Sequence, residues 1–221
     1  MNTFLLNRSL LSYRKVQRFI SYFIRNKTFH IRKSGIRNKA YLNVGSGENK
    51  HEQFINLDCL WQPGIDICWD ITKGIPIGDG VIKGIFTEHC LEHIPFETID
   101  FLFEEFRRIL KPRGLVRIVV PDGELYIRKY IDYLDGLQDV ELPYAERDVT
   151  NGFYHPIMSV NRIFRSLNHL FIYDFDCLQH LLKHHGFRNI ERKSYMSSQD
   201  PHLLIDTEKR VVESLYVEAS K

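Results

Sequence analysis

The stretch Ala40-Tyr41-Leu42-Asn43-Val44-Gly45-Ser46-Gly47-Glu48 decides how this chain is organised. Its apolar first half is typical of a short buried strand, and the two glycines end that strand. Gly45 and Gly47 have no Cβ and tolerate positive φ, so a ligand can lie against the backbone at this turn. Taken alone, the pattern is equally compatible with an ordinary strand-to-loop turn.

A second strand-like run, Phe54-Ile55-Asn56-Leu57, ends at Asp58, eleven residues after Gly47. In doubly wound α/β folds, a glycine turn follows the first strand and an acid follows the second. The turn's backbone contacts one end of a bound nucleoside, and the carboxylate contacts the ribose hydroxyls. The two runs together therefore predict a nucleoside-type ligand. A side chain at Gly45 is expected to weaken binding of that ligand while leaving the fold intact.

Charge is distributed unevenly along the 221 residues. Residues 1–39 hold ten of the thirty Lys and Arg residues and none of the 28 Asp and Glu residues, so a basic arm precedes an acidic body. An acidic body argues against a broad nucleic-acid groove, and we predict no nucleic-acid partner. The four cysteines show no metal-ligand spacing, and buried thiols suit a reducing compartment such as the cytoplasm. No apolar run approaches the ~20 residues that span a bilayer.

The alternation of strand and helix patterns predicts an α/β fold with a mostly parallel sheet and an antiparallel strand near its end. Helices are predicted over 96–110 and 174–185, and Lys111-Pro112-Arg113-Gly114 predicts a turn after the first of them. The seven predicted strands span 40–44, 53–57, 65–69, 82–88, 115–120, 187–195 and 210–218.

The connections between the first three predicted strands are unusually short. About eight and about seven residues separate them, whereas a parallel crossover usually needs a dozen or more. The first helices must therefore be reduced to turns, which leaves one sheet face partly bare. Residues 4–25 predict an amphipathic helix that is long enough to cover this face at ~1.5 Å per residue. Its predicted apolar side contains Tyr13, Val16, Ile20, Phe23 and Ile24.

Further motifs follow in order: Asp66-Ile67-Cys68-Trp69-Asp70, Thr87-Glu88-His89-Cys90-Leu91-Glu92-His93, Arg107-Arg108-Ile109-Leu110-Lys111-Pro112-Arg113-Gly114, Val119-Val120-Pro121-Asp122, His169-Leu170-Phe171 and His185-Gly186-Phe187. With them the chain resembles the class I S-adenosylmethionine-dependent methyltransferases. More narrowly, it is similar to small methyltransferases found among polysaccharide and glycan biosynthesis proteins. The resemblance implies a seven-stranded sheet. Together with the residue patterns above, the predicted fold is a Rossmann-like, seven-stranded, mostly parallel sheet with reduced first helices and an N-terminal amphipathic helix. The predicted division of the chain is a basic arm over 1–39 and a methyltransferase domain over 40–221.

The resemblance implies one S-adenosyl-L-methionine bound at the carboxyl ends of strands one, two and four. By position, the glycine turn faces the methionine moiety, Asp58 takes the ribose hydroxyls and Asp70 lies near the adenine amino group. Asp70-Ile71-Thr72 also reads as an ordinary turn entry. The chain departs from the family at Asn43, where an acid is usual, and at Asn49, where a third glycine is usual. The implied cofactor-binding residues are Asn43, Gly45, Ser46, Gly47, Asp58, Asp70, Glu88 and His89.

Residues 122–173 are too long for a plain connection and are interpreted as a cap over the acceptor site. His155 and His169 are the candidate general bases, although His169 is also compatible with simple packing beside aromatic residues. His89 and His93 lie four residues apart with Glu92 between them. The sequence offers them no third ligand at a recognisable spacing, so we predict no metal site.

The acceptor is predicted to be a sugar or glycan-type molecule methylated at oxygen. Two alternatives remain open: a small-metabolite or lipid methyltransferase, and a catalytically silent binding module that keeps the fold. A lipid acceptor predicts an apolar cap pocket, and a sugar predicts a polar, aromatic-lined one.

The basic arm has four interpretations: a cover for the bare sheet face, an anionic-membrane contact through residues 4–25, a targeting segment or a nucleic-acid arm. The predicted location is cytoplasmic. If residues 4–25 contact an anionic membrane, the protein is instead predicted to be peripheral to the membrane.

Overall fold

Seven strands form one sheet in the computed structural model, which describes residues 15–29, 31, 36–165 and 168–221. The strands are β1 (Tyr41–Val44), β2 (Phe54–Asp58), β3 (Ile67–Cys68), β4 (Ile82–Glu88), β5 (Leu110–Pro121), β6 (Arg188–Lys193) and β7 (Ser214–Ser220). Their spatial order is β3-β2-β1-β4-β5-β7-β6. All neighbours are parallel except that β7 runs antiparallel to both β5 and β6. The predicted seven-stranded, mostly parallel sheet is confirmed.

The first three strands are joined by turns, as their short spacing predicts. Residues 45–53 and 59–66 contain no helix, yet β1 pairs with β2 and β2 with β3 in parallel. β1 also pairs with β4 on its other side. Strands β2 and β3 are therefore added on one side of β1, and β4 and β5 on the other. Such a switch point opens a crevice at the carboxyl ends of the strands, where doubly wound folds bind their ligands.

Two helices cover one face of the sheet. α1 comprises residues 15–24. The α-helices that the structure describes after β1 are α2 (Ile99–Ile109), α3 (Gly123–Leu134), α4 (Pro156–Arg165) and α5 (Phe175–His184). α2 buries Leu102, Phe103 and Phe106 in the main core, and α5 adds Leu178 and Leu182. Both contribute the apolar stripe expected of a helix packed on a sheet.

β5 begins five residues earlier than predicted, at Leu110, so Lys111–Gly114 is not a free turn after α2. Its pairing with β4 shifts between Ile82 and Gly84. Arg113 adopts φ +65° within this irregularity. A bulge of this kind tolerates Pro112, which has no N–H for the ladder.

The opposite sheet face is covered by residues 194–207, which form the first part of the connection between β6 and β7. Leu203 is fully buried there against Phe54, Phe86 and Val119. Gly84 makes room for it, because a Cβ at that position would lie 3.0 Å from the Leu203 side chain. The face left bare by the short crossovers is therefore covered from the C-terminal half of the chain.

A buried ion pair fastens residues 194–207 to the sheet. Arg117 on β5 is fully buried and donates two hydrogen bonds to Asp206, at 2.8 and 2.6 Å. It also donates to the carbonyls of Ser197 and Ser194, at 2.6 and 3.0 Å. Because Asp206 directly precedes Thr207, this pair also fixes the start of the segment 207–210.

The described part of the arm docks at the edge of the sheet. The buried Ser21 of α1 accepts a hydrogen bond from the Trp61 N–H, and the Asn26 N–H donates to the Cys68 carbonyl. Val16 and Phe23, predicted for the packed side of the helix, are exposed instead. Residues 4–14 of the predicted helix lie outside the described residues. None of the helices described in the structure is both long enough and apolar enough to cross a membrane.

Residues 122–173 form a small packed unit with its own apolar cluster. α3 begins at Asp122, which caps the helix by accepting from the Leu125 N–H. Tyr126 of α3 and Ile163 of α4 pack together with Leu142. The unit sits beside the carboxyl end of β5, because it starts where that strand ends.

Candidate functional site

A cavity of about 500 Å³ opens at the carboxyl ends of β1, β2 and β4. It brings together seven of the eight residues implied to bind the cofactor, as well as residues from the connection between β6 and β7. The lining residues are Asn43, Gly45, Ser46, Gly47, Glu48, Asn49, Asp58, Phe86, Glu88, His89, Thr207, Lys209 and Arg210. We call it the first cavity.

The glycine turn has the geometry that its sequence predicts. Gly45 and Gly47 have φ of +67° and +49°, in the left-handed region that glycine adopts at no steric cost. A Cβ at Gly47 would meet only the Gly45 carbonyl at 3.9 Å, so this residue keeps the cavity open. Asn43 closes the turn from below, since its buried side-chain amide donates to the Asn49 carbonyl at 2.7 Å. Asn43 thus ties the two ends of the turn together through a hydrogen bond to the backbone.

Asp58 stands at the end of β2 with its carboxylate held by two backbone donors. The Gly47 N–H donates to Oδ2 at 2.9 Å, and the Leu60 N–H donates to Oδ1 at 2.7 Å. A carboxylate offers about four lone-pair sites, so acceptor capacity remains for hydroxyl groups in the cavity. Asp58 lines the first cavity, and its contact with the ribose hydroxyls stays a prediction.

Ser46 carries a polar atom without a partner. Its residue is 4% exposed, and its Oγ makes no hydrogen bond with any residue that the structure describes. Buried hydroxyls nearly always have a partner. A ligand with polar groups in the first cavity would supply one, so the glycine cradle, Ser46 and Asp58 fit the amino-acid and ribose groups of S-adenosyl-L-methionine.

The sequence did not predict that residues 207–210, in the connection between β6 and β7, form part of the site. Thr207 donates from its N–H and its hydroxyl to the two oxygens of Glu88. Lys209 and Arg210 then reach the cavity. One signal was available: β7 is antiparallel, and its first residue pairs with Pro121 at the carboxyl end of β5. Whatever precedes such a strand must lie at the ligand-binding edge.

Asp70 does not line the first cavity. Its Oδ1 accepts from the N–H and the hydroxyl of Thr72, at 3.1 and 2.7 Å, and so caps the short 3₁₀ helix Ile71–Lys73. This is the turn entry that Asp70-Ile71-Thr72 also indicates in the sequence. The contact of Asp70 with the adenine amino group stays a prediction.

A second cavity of about 260 Å³ adjoins the first and shares His89, Lys209 and Arg210 with it. The cap unit supplies most of the other lining residues, and only one of them, Ile163, is aliphatic. They are Tyr144, Arg147, Arg162, Ile163, His169 and Glu213. The two cavities form adjoining compartments around His89.

Lys209 and Arg210 supply the positive charge of the second cavity that has no ion-pair partner in the described ranges. Arg162, one of the arginines suggested by the sequence, is already bound to Asp148 at 2.9 Å within the cap. Arg147 lies 3.5 Å from Glu146 and stacks on Tyr144 at 3.8 Å. The cavity therefore presents an aromatic ring and an excess of cationic groups.

Four titratable side chains surround the junction of the cavities. Burial, assisted by the charge of Arg210, lowers the pKa of His89 to about 2, so its imidazole is neutral. Burial raises the pKa of Glu92 to about 8. Glu92 Oε1 lies 3.5 Å from His89 Nδ1 and 3.8 Å from His93 Nε2. The His93 and His169 rings are 4.9 Å apart.

The two candidate bases are separated by the fold. His169 lines the second cavity, and its Nδ1–H donates to the Ile163 carbonyl at 2.6 Å, which leaves Nε2 with a free lone pair. His155 lines neither cavity; its ring lies 5.3 Å from that of Tyr133, at the start of α4. The structure therefore brings only His169 to the site.

Solved structures similar to this chain include methyltransferases. A SAM-dependent methyltransferase from Archaeoglobus fulgidus is 15% identical over 100% of both chains, with a TM-score of 0.49. The 1,6-didemethyltoxoflavin-N1-methyltransferase from Burkholderia thailandensis is 13% identical, with a TM-score of 0.46 over 97% of this chain and 82% of that one. A SAM-dependent methyltransferase from Aquifex aeolicus is 13% identical, with a TM-score of 0.45 over 83% and 82%.

No protein-family model and no curated protein matches the sequence. At such identities the likeness concerns the fold alone. The fold itself is given by the strand order described above: the chain has a seven-stranded, mostly parallel, Rossmann-like sheet.

Proposed function

We propose that the chain is an S-adenosyl-L-methionine-dependent methyltransferase. The observation that carries the proposal is the first cavity. At the switch point of the sheet, a glycine cradle, an unpartnered buried Ser46 hydroxyl and the Asp58 carboxylate face one space. Sheets of this kind bind nucleoside ligands at this edge.

Each part of the cofactor has a suitable group in the first cavity. Asp58 would accept from the ribose hydroxyls, and the backbone around Gly47 with Ser46 would hold the amino-acid end. When bound, S-adenosyl-L-methionine supplies an electrophilic methyl group on a positively charged sulfur. The protein's contribution is to hold an acceptor in line at ~3–3.5 Å and to exclude water.

The second cavity is proposed as the acceptor site. Its lining of Tyr144, Arg147, Lys209 and Arg210 favours a polar acceptor with an anionic group, such as a sugar phosphate or an acidic glycan, methylated at a hydroxyl. A lipid chain would need an apolar lining, which the residues described here do not provide. The His169 Nε2 can accept the proton that such a hydroxyl loses.

Replacing Asp58 with asparagine tests the cofactor site. Hydrogen bonds to a charged group contribute about 1.5–3 kcal/mol, so the dissociation constant for S-adenosyl-L-methionine should rise about 10- to 100-fold. Calorimetry with the cofactor and with its demethylated product measures this rise. Asp70→Asn is the matched control and should bind like the native chain. A well-folded native chain that gives no binding heat would support the silent module instead.

A panel of acceptors tests the second cavity. With S-adenosyl-L-methionine and the native chain, demethylated cofactor should be released with sugar phosphates or acidic glycans and not with neutral glycans or lipids. Arg210→Gln should raise the KM for the anionic acceptor about tenfold or more, because a charge-assisted hydrogen bond is lost. Arg113→Gln, on the opposite end of β5, is the control. Turnover with a lipid alone would refute the acceptor class.

The basic arm is proposed to contact anionic membranes. α1 exposes Phe19, Tyr22 and Phe23 next to the exposed Lys15 and Arg18. Aromatic and basic residues on one helix surface suit an anionic lipid interface. Phe19→Ser/Phe23→Ser should abolish sedimentation with vesicles that contain phosphatidylserine, whereas Phe153→Ser, exposed in the cap, should not. Equal sedimentation with neutral vesicles would contradict the electrostatic part.

A further inference from the structure

Three side chains with metal-ligating atoms converge beneath the second cavity. One ligand atom each from Glu92, His93 and His169 lies within 4.8 Å of the other two. The sequence places His169 76 positions after His93, which is why no ligand spacing is recognisable there. Ligands about 2.0–2.1 Å from a shared ion lie about 3.3 Å apart. Small side-chain rotations would therefore bring the three atoms to bonding distance.

We propose that Glu92, His93 and His169 bind one divalent first-row transition-metal ion, with Zn²⁺ as the test ion. Two imidazoles and one carboxylate form a donor set used for Zn²⁺ and related ions in catalytic sites. Mg²⁺ and Ca²⁺ prefer all-oxygen ligands and do not suit it.

Glu92 provides the strongest independent argument. Its side chain is fully buried, and neither carboxylate oxygen has a hydrogen-bond partner among the described residues. Buried carboxylates are costly unless they are paired, hydrogen-bonded or bound to a metal. Its Oε1 is directed at the ring nitrogens of His89 and His93 without reaching hydrogen-bond distance of either. A cation between these groups would satisfy the carboxylate.

The His169 imidazole is oriented as metal ligands usually are. Its Nδ1–H donates to the Ile163 carbonyl at 2.6 Å. Such an outer bond fixes the tautomer and leaves Nε2 free for an ion. The His93 side chain is 34% exposed, which provides a path for the ion to enter.

Three protein ligands leave a coordination position open toward the second cavity, where His169 forms part of the wall. The ion would bind and orient an acceptor oxygen there. This role rests on the proposed function; the metal site itself does not. In the metal-bound form, His169 acts as a ligand and not as the base.

The metal-depleted full-length chain should be titrated with Zn²⁺ by calorimetry and with Co²⁺ by visible absorption. We expect one ion per chain and cobalt bands of a nitrogen- and oxygen-ligated site. Glu92→Gln and His169→Gln should each weaken Zn²⁺ binding by at least about 100-fold, because loss of a ligand costs more than loss of an outer-shell partner. His180→Gln, exposed on α5, should bind Zn²⁺ like the native chain.

Glu92→Gln keeps the side-chain volume, and His169→Gln changes a partly exposed residue, so both variants should fold; circular dichroism of the metal-free proteins checks this. The site would be overturned if the native chain bound fewer than one ion per chain. It would also be overturned if Glu92→Gln and His169→Gln bound Zn²⁺ like the native chain. Cofactor calorimetry on the same samples separates the two proposals. Zn²⁺ binding without cofactor binding refutes the proposed function and leaves the metal site standing. Cofactor binding without Zn²⁺ binding refutes the metal site and leaves the proposed function standing.

Discussion

Asp206→Asn is expected to lower the free energy of unfolding by about 3–5 kcal/mol, the cost of leaving a buried charge without its partner. Both side chains of the Arg117–Asp206 pair are fully shielded from solvent. The variant keeps the volume of the side chain and removes only the negative charge. Arg117 would then remain buried with neutral acceptors alone, namely the carbonyls of Ser194 and Ser197.

The loss should also reach the candidate site. Asp206 accepts from the Met196 N–H as well as from Arg117, so it holds both ends of residues 196–206 on the sheet. Thr207 follows directly and is bound by Glu88. Loosening this connection should move Lys209 and Arg210, and we therefore expect weaker S-adenosyl-L-methionine binding together with lower stability.

Urea unfolding followed by circular dichroism measures the stability change. Asp79→Asn is the matched control, because Asp79 forms an exposed pair with Arg108 and exposed pairs contribute only about 0–1 kcal/mol. The double variant Arg117→Met/Asp206→Leu should recover most of the loss, since an apolar pair of similar volume can replace a buried ion pair. A loss at Asp206 no larger than that at Asp79 would show that the pair does not fasten the connection.

The sheet and the glycine turn were predictable because local patterns determine them. β4 was predicted to the residue, and β1 and β2 within one position, since each is a short apolar run bounded by turn residues. The positions of Gly45, Gly47 and Asp58 followed from the strand ends. The start of β5 was not predictable, because Lys111–Gly114 has the composition of a turn and becomes part of a strand only through pairing with β4.

The rest of the site depends on contacts between residues distant in sequence. The segment 194–210 has no strong periodicity, and its place over the sheet depends on Arg117, some eighty residues earlier. The position of Asp70 outside the first cavity was not predictable, because a carboxylate near a ligand and one in a turn look the same in sequence. His169 lies close to Glu92 and His93 because the cap unit leads the chain back to them. No local sequence pattern in the cap unit predicts this return.

Gly45→Ala is expected to lower the free energy of unfolding by about 2–5 kcal/mol. The structure thereby revises the sequence-based expectation that a side chain at Gly45 leaves the fold intact. At φ +67°, a non-glycine residue costs about 1–2 kcal/mol. A Cβ at Gly45 would in addition lie 2.4 Å from the Cys90 Sγ and 2.6 Å from its Cβ. Overpacking of this kind adds about 1–3 kcal/mol. Gly45 is therefore needed for packing against the end of β4 as well as for ligand access.

Gly47→Ala separates the two contributions. It also has positive φ, but its Cβ would meet no side chain within 4 Å, so only the backbone cost of about 1–2 kcal/mol should appear. Cys90→Gly should restore part of the Gly45→Ala loss in a double-mutant cycle, because it removes both clashing atoms. Equal losses at Gly45 and Gly47, with no coupling to Cys90, would mean that backbone strain alone requires glycine at the turn. A larger loss at Gly45 with coupling would show that the turn is held against β4 by side-chain packing, with Gly47 left to face the ligand.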